Sequence, residues 1–133
     1  MIARAVELWT DPEYPERRLA ERLIPAVTGY DASMVRIELK RYMRMFRRRE
    51  LLRFVDDELN CPQMLDEYRP NRSGGYTRLY SPELSFHVFS SNVPGIPVWS
   101  MTMGLLTKSA ILGKSSFDEP LMPVLFARSL ASV

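Results

Sequence analysis

The sequence predicts an α/β chain in two parts, a helical region over residues 1–70 and the beginning of an α/β domain over 71–133. Three observations carry this. Apolar residues recur at helical spacing through the first part, the turn-forming run Pro70-Asn71-Arg72-Ser73-Gly74-Gly75 interrupts the chain, and the pattern after it is strand, loop, helix, strand, helix.

Residues 16–28 read as a short helix stopped by Gly29, which can take the left-handed conformation that ends helices. Asp31 or Ser33 can cap the next helix, whose apolar stripe is Val35, Leu39, Tyr42 and Phe46 at steps of four, three and four. The stripe slips at Arg48-Arg49-Glu50 and resumes as Leu52, Val55 and Leu59, which predicts a kink or a second helix, ended by Cys61-Pro62. After the break, residues 76–80 read as extended, 84–89 as a strand, 96–107 as a helix with Pro97 in its first turn, and 109–112 as a second strand. The span from 84 to 114 is the length of one βαβ unit. Ala110-Ile111-Leu112 is wholly apolar, as expected of a strand covered on both faces. A last helix, from about Glu119, carries Met122, Phe126, Leu130 and Val133 along one side. A βαβα unit cannot bury both faces of its sheet alone, so further strands are expected after Val133 and the domain reads as incomplete at its C-terminus.

With 133 residues, 46% of them apolar and 26% charged, the composition is that of one soluble globular core, and a net charge of +2 implies no polyanionic partner. The single cysteine, Cys61, excludes an internal disulfide. With the single histidine, His87, it cannot complete a zinc site, so no metal is expected. No run approaches the roughly 20 apolar residues of a membrane span, and the opening residues are no signal peptide; a cytoplasmic protein is expected.

The basic residues Arg36, Lys40, Arg41, Arg44, Arg47, Arg48, Arg49 and Arg53 admit several readings. They could hold nucleic acid phosphates or dock a subunit, which would make the chain a non-catalytic binding module, or form a solvated or internally paired face. No nucleic-acid motif surrounds them and Glu38, Glu50, Asp56, Asp57 and Glu58 dilute their charge, so no nucleic acid is expected.

In a βαβ unit the residues just past the two parallel strands lie along one sheet edge, where α/β folds bind ligands. Asn92 follows the first strand and Lys114 the second. An amide donor and a cation there suit an oxyanion and a phosphate or ribose. Free N–H groups at the start of the last helix add positive potential, partly offset by Asp118 and Glu119. The plainer alternatives are a turn residue for Asn92 and a solvated strand end for Lys114. Cys61, with no histidine nearby and no glycine-rich turn, reads as an inert half-buried thiol, His87 as structural, and Met101 and Met103 as packing residues.

Ser91-Asn92-Val93-Pro94-Gly95, then Gly104-Leu105-Leu106-Thr107-Lys108-Ser109, Gly113-Lys114 and Glu119-Pro120-Leu121 resemble, in this order, the acyl-CoA reductases of the LuxC type within the aldehyde dehydrogenase superfamily. Tyr76-Thr77-Arg78 and Pro82 resemble the lead-in to that superfamily's cofactor domain, and the likeness is looser over the helical part. The resemblance implies a Rossmann-like cofactor domain of which this chain holds the first βαβα segment, NADPH as cofactor, and a fatty acyl-CoA substrate reduced to fatty aldehyde through a cysteine thioester. It implies that Asn92 stabilises the oxyanion, that Lys114 with Ser115 beside it contacts the adenosine ribose or its 2′-phosphate, and that Pro94, counted with the cofactor-binding residues, turns the chain into the crossover helix. Ser91 stands where the family often has glycine, and Ser115 and Phe117 where the common superfamily pattern has proline and glutamate. The superfamily's nucleophilic cysteine lies downstream of these motifs, so the chain is expected to be an N-terminal fragment that does not turn over alone. The partners implied are a second copy or the other subunits of a fatty acid reductase.

Overall fold

The structure is a computed structural model that describes residues 1–59, 61–90 and 93–133. Four helices open it: α1 (Ile2–Thr10), α2 (Pro15–Thr28), α3 (Ala32–Met45) and α4 (Arg48–Leu59). A 3-10 turn (Pro62–Leu65) and a hairpin of β1 (Arg69–Pro70) and β2 (Tyr76–Thr77) lead to β3 (Leu84–Val88), α5 (Gly95–Leu106), β4 (Ala110–Lys114) and α6 (Leu121–Ala131).

The local signals act as their chemistry dictates. Gly29 ends α2 at φ 74°, its N–H bonded to Pro25 O at 2.9 Å. Asp31 caps α3 by accepting from the Ser33 and Met34 amides at 2.9 and 3.0 Å. The Ser33 hydroxyl and these amides hold the Asp31 carboxyl below its ordinary pKa. The expected break after α3 falls at Phe46-Arg47, and it resets the helical phase: Leu51 is buried, whereas Leu52, placed in the stripe by its spacing, is 54% exposed.

Residues 2–10, to which the sequence reading gave no element, form α1, which buries Ala5, Val6 and Trp9. The Trp9 indole N–H donates to Ser129 Oγ at 2.8 Å, and the Tyr14 hydroxyl donates to the same oxygen at 3.0 Å. Arg17 is buried between Glu21 Oε1, 2.9 Å away, and the Trp9 and Thr10 carbonyls, where it satisfies the C-terminal end of α1. One core cluster joins these helices to α5 and α6, including Trp9, Ile24, Leu39, Phe46, Val98 and Phe126.

Strands β3 and β4 pair in parallel, from Leu84 opposite Ala110 to Val88 opposite Lys114, with α5 as the crossover. Mixed α/β architecture is therefore present. The expectation that the apolar run in β4 is covered on both faces is not met: Phe86, Val88 and Leu112 are 63%, 67% and 57% exposed. Helix α5 covers the opposite face, over Ile111 and His87, and α6 packs on α1, α2 and α5 instead of on the sheet. The extended stretch expected over 76–80 reduces to Tyr76–Thr77, because the turn between Asn71 and Gly75 folds it back on Arg69–Pro70.

Candidate functional site

The parallel register fixes the sheet end that the sequence singled out. Lys114 is the last residue of β4, directly opposite Val88, and its carbonyl accepts the Phe89 amide at 3.0 Å. The two strands thus end together, and the chain leaving β3 starts level with Lys114. Lys114 is exposed and Ser115 beside it is half-buried. Among the described residues, no carboxylate lies within 4 Å of the Lys114 ammonium. Asn92, the expected oxyanion donor, lies outside the described residues, as does Ser91.

Pro94 takes helical angles, φ −57° and ψ −26°, and starts α5. Val93, Pro94 and Gly95 form one wall of a cavity of about 420 Å³, and α3 forms the other with Met34, Val35, Leu39 and Tyr42. Gly95 lets the two walls meet: a Cβ there would stand 2.4 Å from the Tyr42 ring. The lining is mainly apolar, and among the described residues Asp31 and Glu38 are its carboxylates. Pro94 belongs to this wall, and Lys114 and Ser115 are not among the lining residues.

Helix α6 does not offer the free N–H groups expected of its first turn. Glu119, 1% exposed, accepts from the Leu121 and Met122 amides at 3.0 and 2.8 Å. Burial raises its pKa, against the opposing pull of these two bonds. Its other carboxylate oxygen is buried without a hydrogen-bond partner.

Other candidates have structural surroundings. His87 Nδ1 lies 2.6 Å from Ser100 Oγ, which ties β3 to α5. Cys61 is half-buried, and its thiol donates to Gln63 Oε1 at 3.3 Å. Among the described residues no three histidine, cysteine or acidic side chains gather as a metal site, and no helix is long and apolar enough to cross a membrane. The α3 side of the cavity escaped the sequence reading. Val35, Leu39 and Tyr42 were legible as one helix face, but only folding lays that face over the turn after Asn92.

Residues 1–133 match the family model described as acyl-CoA reductase (LuxC). Curated relatives bear the name long-chain acyl-protein thioester reductase. That of Photorhabdus laumondii subsp. laumondii is 27% identical over 126 residues, covering 94% of this chain and 26% of the relative. The Vibrio harveyi protein is likewise 27% identical with the same coverage, and that of Aliivibrio fischeri is 30% identical over 113 residues, 84% of this chain and 23% of the relative. The chain thus spans about a quarter of the length of these relatives.

Proposed function

This chain belongs to the acyl-CoA reductase (LuxC) family, and on that premise we propose that it supplies the acyl-chain cavity and the first Rossmann-like cofactor-domain segment of a reductase that converts a long-chain acyl thioester to a fatty aldehyde. The observation that carries the reading is the cavity of about 420 Å³ whose wall is the turn immediately after Asn92. A mainly apolar pocket suits a ligand whose body is hydrocarbon. The acyl tail lies against Val35, Leu39 and Tyr42, and the oxyanion role is assigned to the Asn92 amide. That amide donates to the oxygen that gains charge when a thiolate attacks the carbonyl carbon and the carrier thiol departs. Cys61 is not assigned the thiolate, because it bonds Gln63 and does not line the cavity.

The residues at the strand ends fit NADPH, which supplies the hydride when bound. A cation free of carboxylate partners at the carboxyl end of a parallel strand, with a serine hydroxyl next to it, matches a ribose hydroxyl or a 2′-phosphate. Lys114 and Ser115 hold that end, and Pro94 starts the crossover helix α5.

Binding of acyl-N-acetylcysteamine thioesters of increasing length, followed by tryptophan fluorescence, tests the cavity. Affinity should rise by up to about 0.8 kcal/mol, roughly fourfold, per added CH₂ until the cavity is full, then level off. Met34→Trp, at the exposed mouth, should move the plateau to shorter chains. An affinity independent of chain length would overturn the assignment.

A further inference from the structure

The cavity between α3 and the start of α5 is apolar over most of its lining, but its charged members are of one sign. Asp31 and Glu38 line it, and among the described lining residues there is no lysine, arginine or histidine. The two carboxylates stand seven residues apart along α3 and its cap, about 10 Å, so they flank the stretch of wall made by Met34 and Val35. A helix N-terminus ordinarily receives anions through its free N–H groups. Here that place is taken: Asp31 accepts from the Ser33 and Met34 amides and from the Ser33 hydroxyl, which favour its charged form. Glu38 has a partner in Arg41, 3.5 Å away, but Arg41 is exposed and does not line the cavity, so water screens the pair. A carboxylate entering from outside therefore meets like charge at two heights and no cation in the described lining to receive it.

Burial of an alkyl chain contributes the same whatever head group it carries, so the sign of the lining acts on the head group. A unit charge about 8 Å from one of these carboxylates, at an effective dielectric of about 40, has its affinity changed about fivefold, against an anion and in favour of a cation. We infer that Asp31 and Glu38 are specificity-determining residues of the cavity, which admits neutral acyl thioesters, holds alkylammonium ions more tightly and excludes free fatty acids of equal chain length. This rests on the acyl-cavity reading above. Its consequence for the reduction is chemical. A free carboxylate has no thiol to lose and does not accept hydride, so a fatty acid in the cavity would only block it, and the two carboxylates keep hydrolysed acyl chains out.

The test titrates the 133-residue chain calorimetrically near neutral pH with ligands of one chain length, all below micelle formation. They are decanoyl-N-acetylcysteamine, decanamide as the neutral isostere of the acid, decanoate and decylammonium. Decylammonium should bind at least about tenfold more tightly than decanoate, with decanamide between them, and added salt should narrow the gap. Both ions lose hydration on entering an apolar site, so the gap between them reads the sign of the lining. Asp31→Asn/Glu38→Gln should bring the two ions within about threefold of each other and leave decanamide and the thioester near their parent affinities. Glu7→Gln/Asp56→Asn, an equal charge change at exposed positions outside the lining, should leave the gap as it is. Circular dichroism checks each fold, and Asp31→Asn alone, which keeps a capping side chain, carries the test if the double variant unfolds. The inference is overturned if decanoate binds as tightly as decylammonium, if the gap survives in folded Asp31→Asn/Glu38→Gln, or if Glu7→Gln/Asp56→Asn closes it as far. If the thioester and decanamide bind the parent and the ions show no gap, this inference falls alone; if neither neutral ligand binds, the cavity reading falls and takes it along.

Discussion

At Glu119 two effects oppose each other, and burial outweighs the two amide hydrogen bonds, so the pKa is raised above the ordinary 4.5. The linkage sign follows. A pKa raised on folding means that the native state favours the proton, so this contribution is complete below the unfolded value and is lost as pH rises through the raised native value. Glu119→Gln keeps an accepting oxygen for the Leu121 and Met122 amides and removes the titration. Thermal unfolding between pH 4 and 8 should show the substitution gaining stability relative to the parent as pH rises; parallel curves would contradict the assignment. Glu119→Ala loses the cap as well and should cost about 1 kcal/mol. The same scale holds the residues assigned to the proposed site. In the assembled reductase, Asn92→Ala should lower acylation by the thioester by on the order of 10²–10³ with little change in NADPH affinity. Lys114→Ala should weaken NADPH binding and leave acylation near its parent rate. Single-turnover acylation beside cofactor titration distinguishes the two roles.

Elements are held in place by a few contacts between distant segments. Ser129 on α6 accepts from both Trp9 and Tyr14, across 120 and 115 residues, while its own hydroxyl donates to Leu125 O. Ser129→Ala leaves two donors without their acceptor and should cost about 1–3 kcal/mol, read as a fall in the urea midpoint at constant m. Gly95→Ala probes the meeting of α3 and α5. Its Cβ would displace the Tyr42 ring, so chain-length selectivity should change even where the fold survives. Unaltered thioester binding by that variant would show that the acyl chain does not lie against the ring. The elements themselves were largely readable: Gly29, Asp31 and the slip at Arg48-Arg49-Glu50 are local signals whose chemistry acts within a turn of helix. The misplaced Leu52 marks where such reading ends, since a phase reset at a helix junction depends on the packing partner.

For the whole molecule, the bare sheet face is the dominant feature. Leu84, Phe86, Val88 and Leu112 are each more than half exposed on adjacent parallel strands. An apolar patch on a two-stranded sheet with open edges drives association. Sedimentation velocity of this chain should show concentration-dependent self-association, reduced by Phe86→Thr/Val88→Thr. A monomer at all concentrations would show that the face is tolerated in water.

Sequence alone determined the order of elements after residue 84, the parallel pairing that places Lys114 at a strand end, and the family, because turn residues, periodicity and motif spacing are local properties of the chain. Tertiary structure decided the rest. It laid Val35, Leu39 and Tyr42 over the turn after Asn92, buried Glu119 so that a carboxylate occupies amides expected to be free, and left one sheet face uncovered. Each of these depends on which surfaces meet across long separations, and contacts of that kind are set by the balance of burial and desolvation over the whole core, which no local pattern encodes.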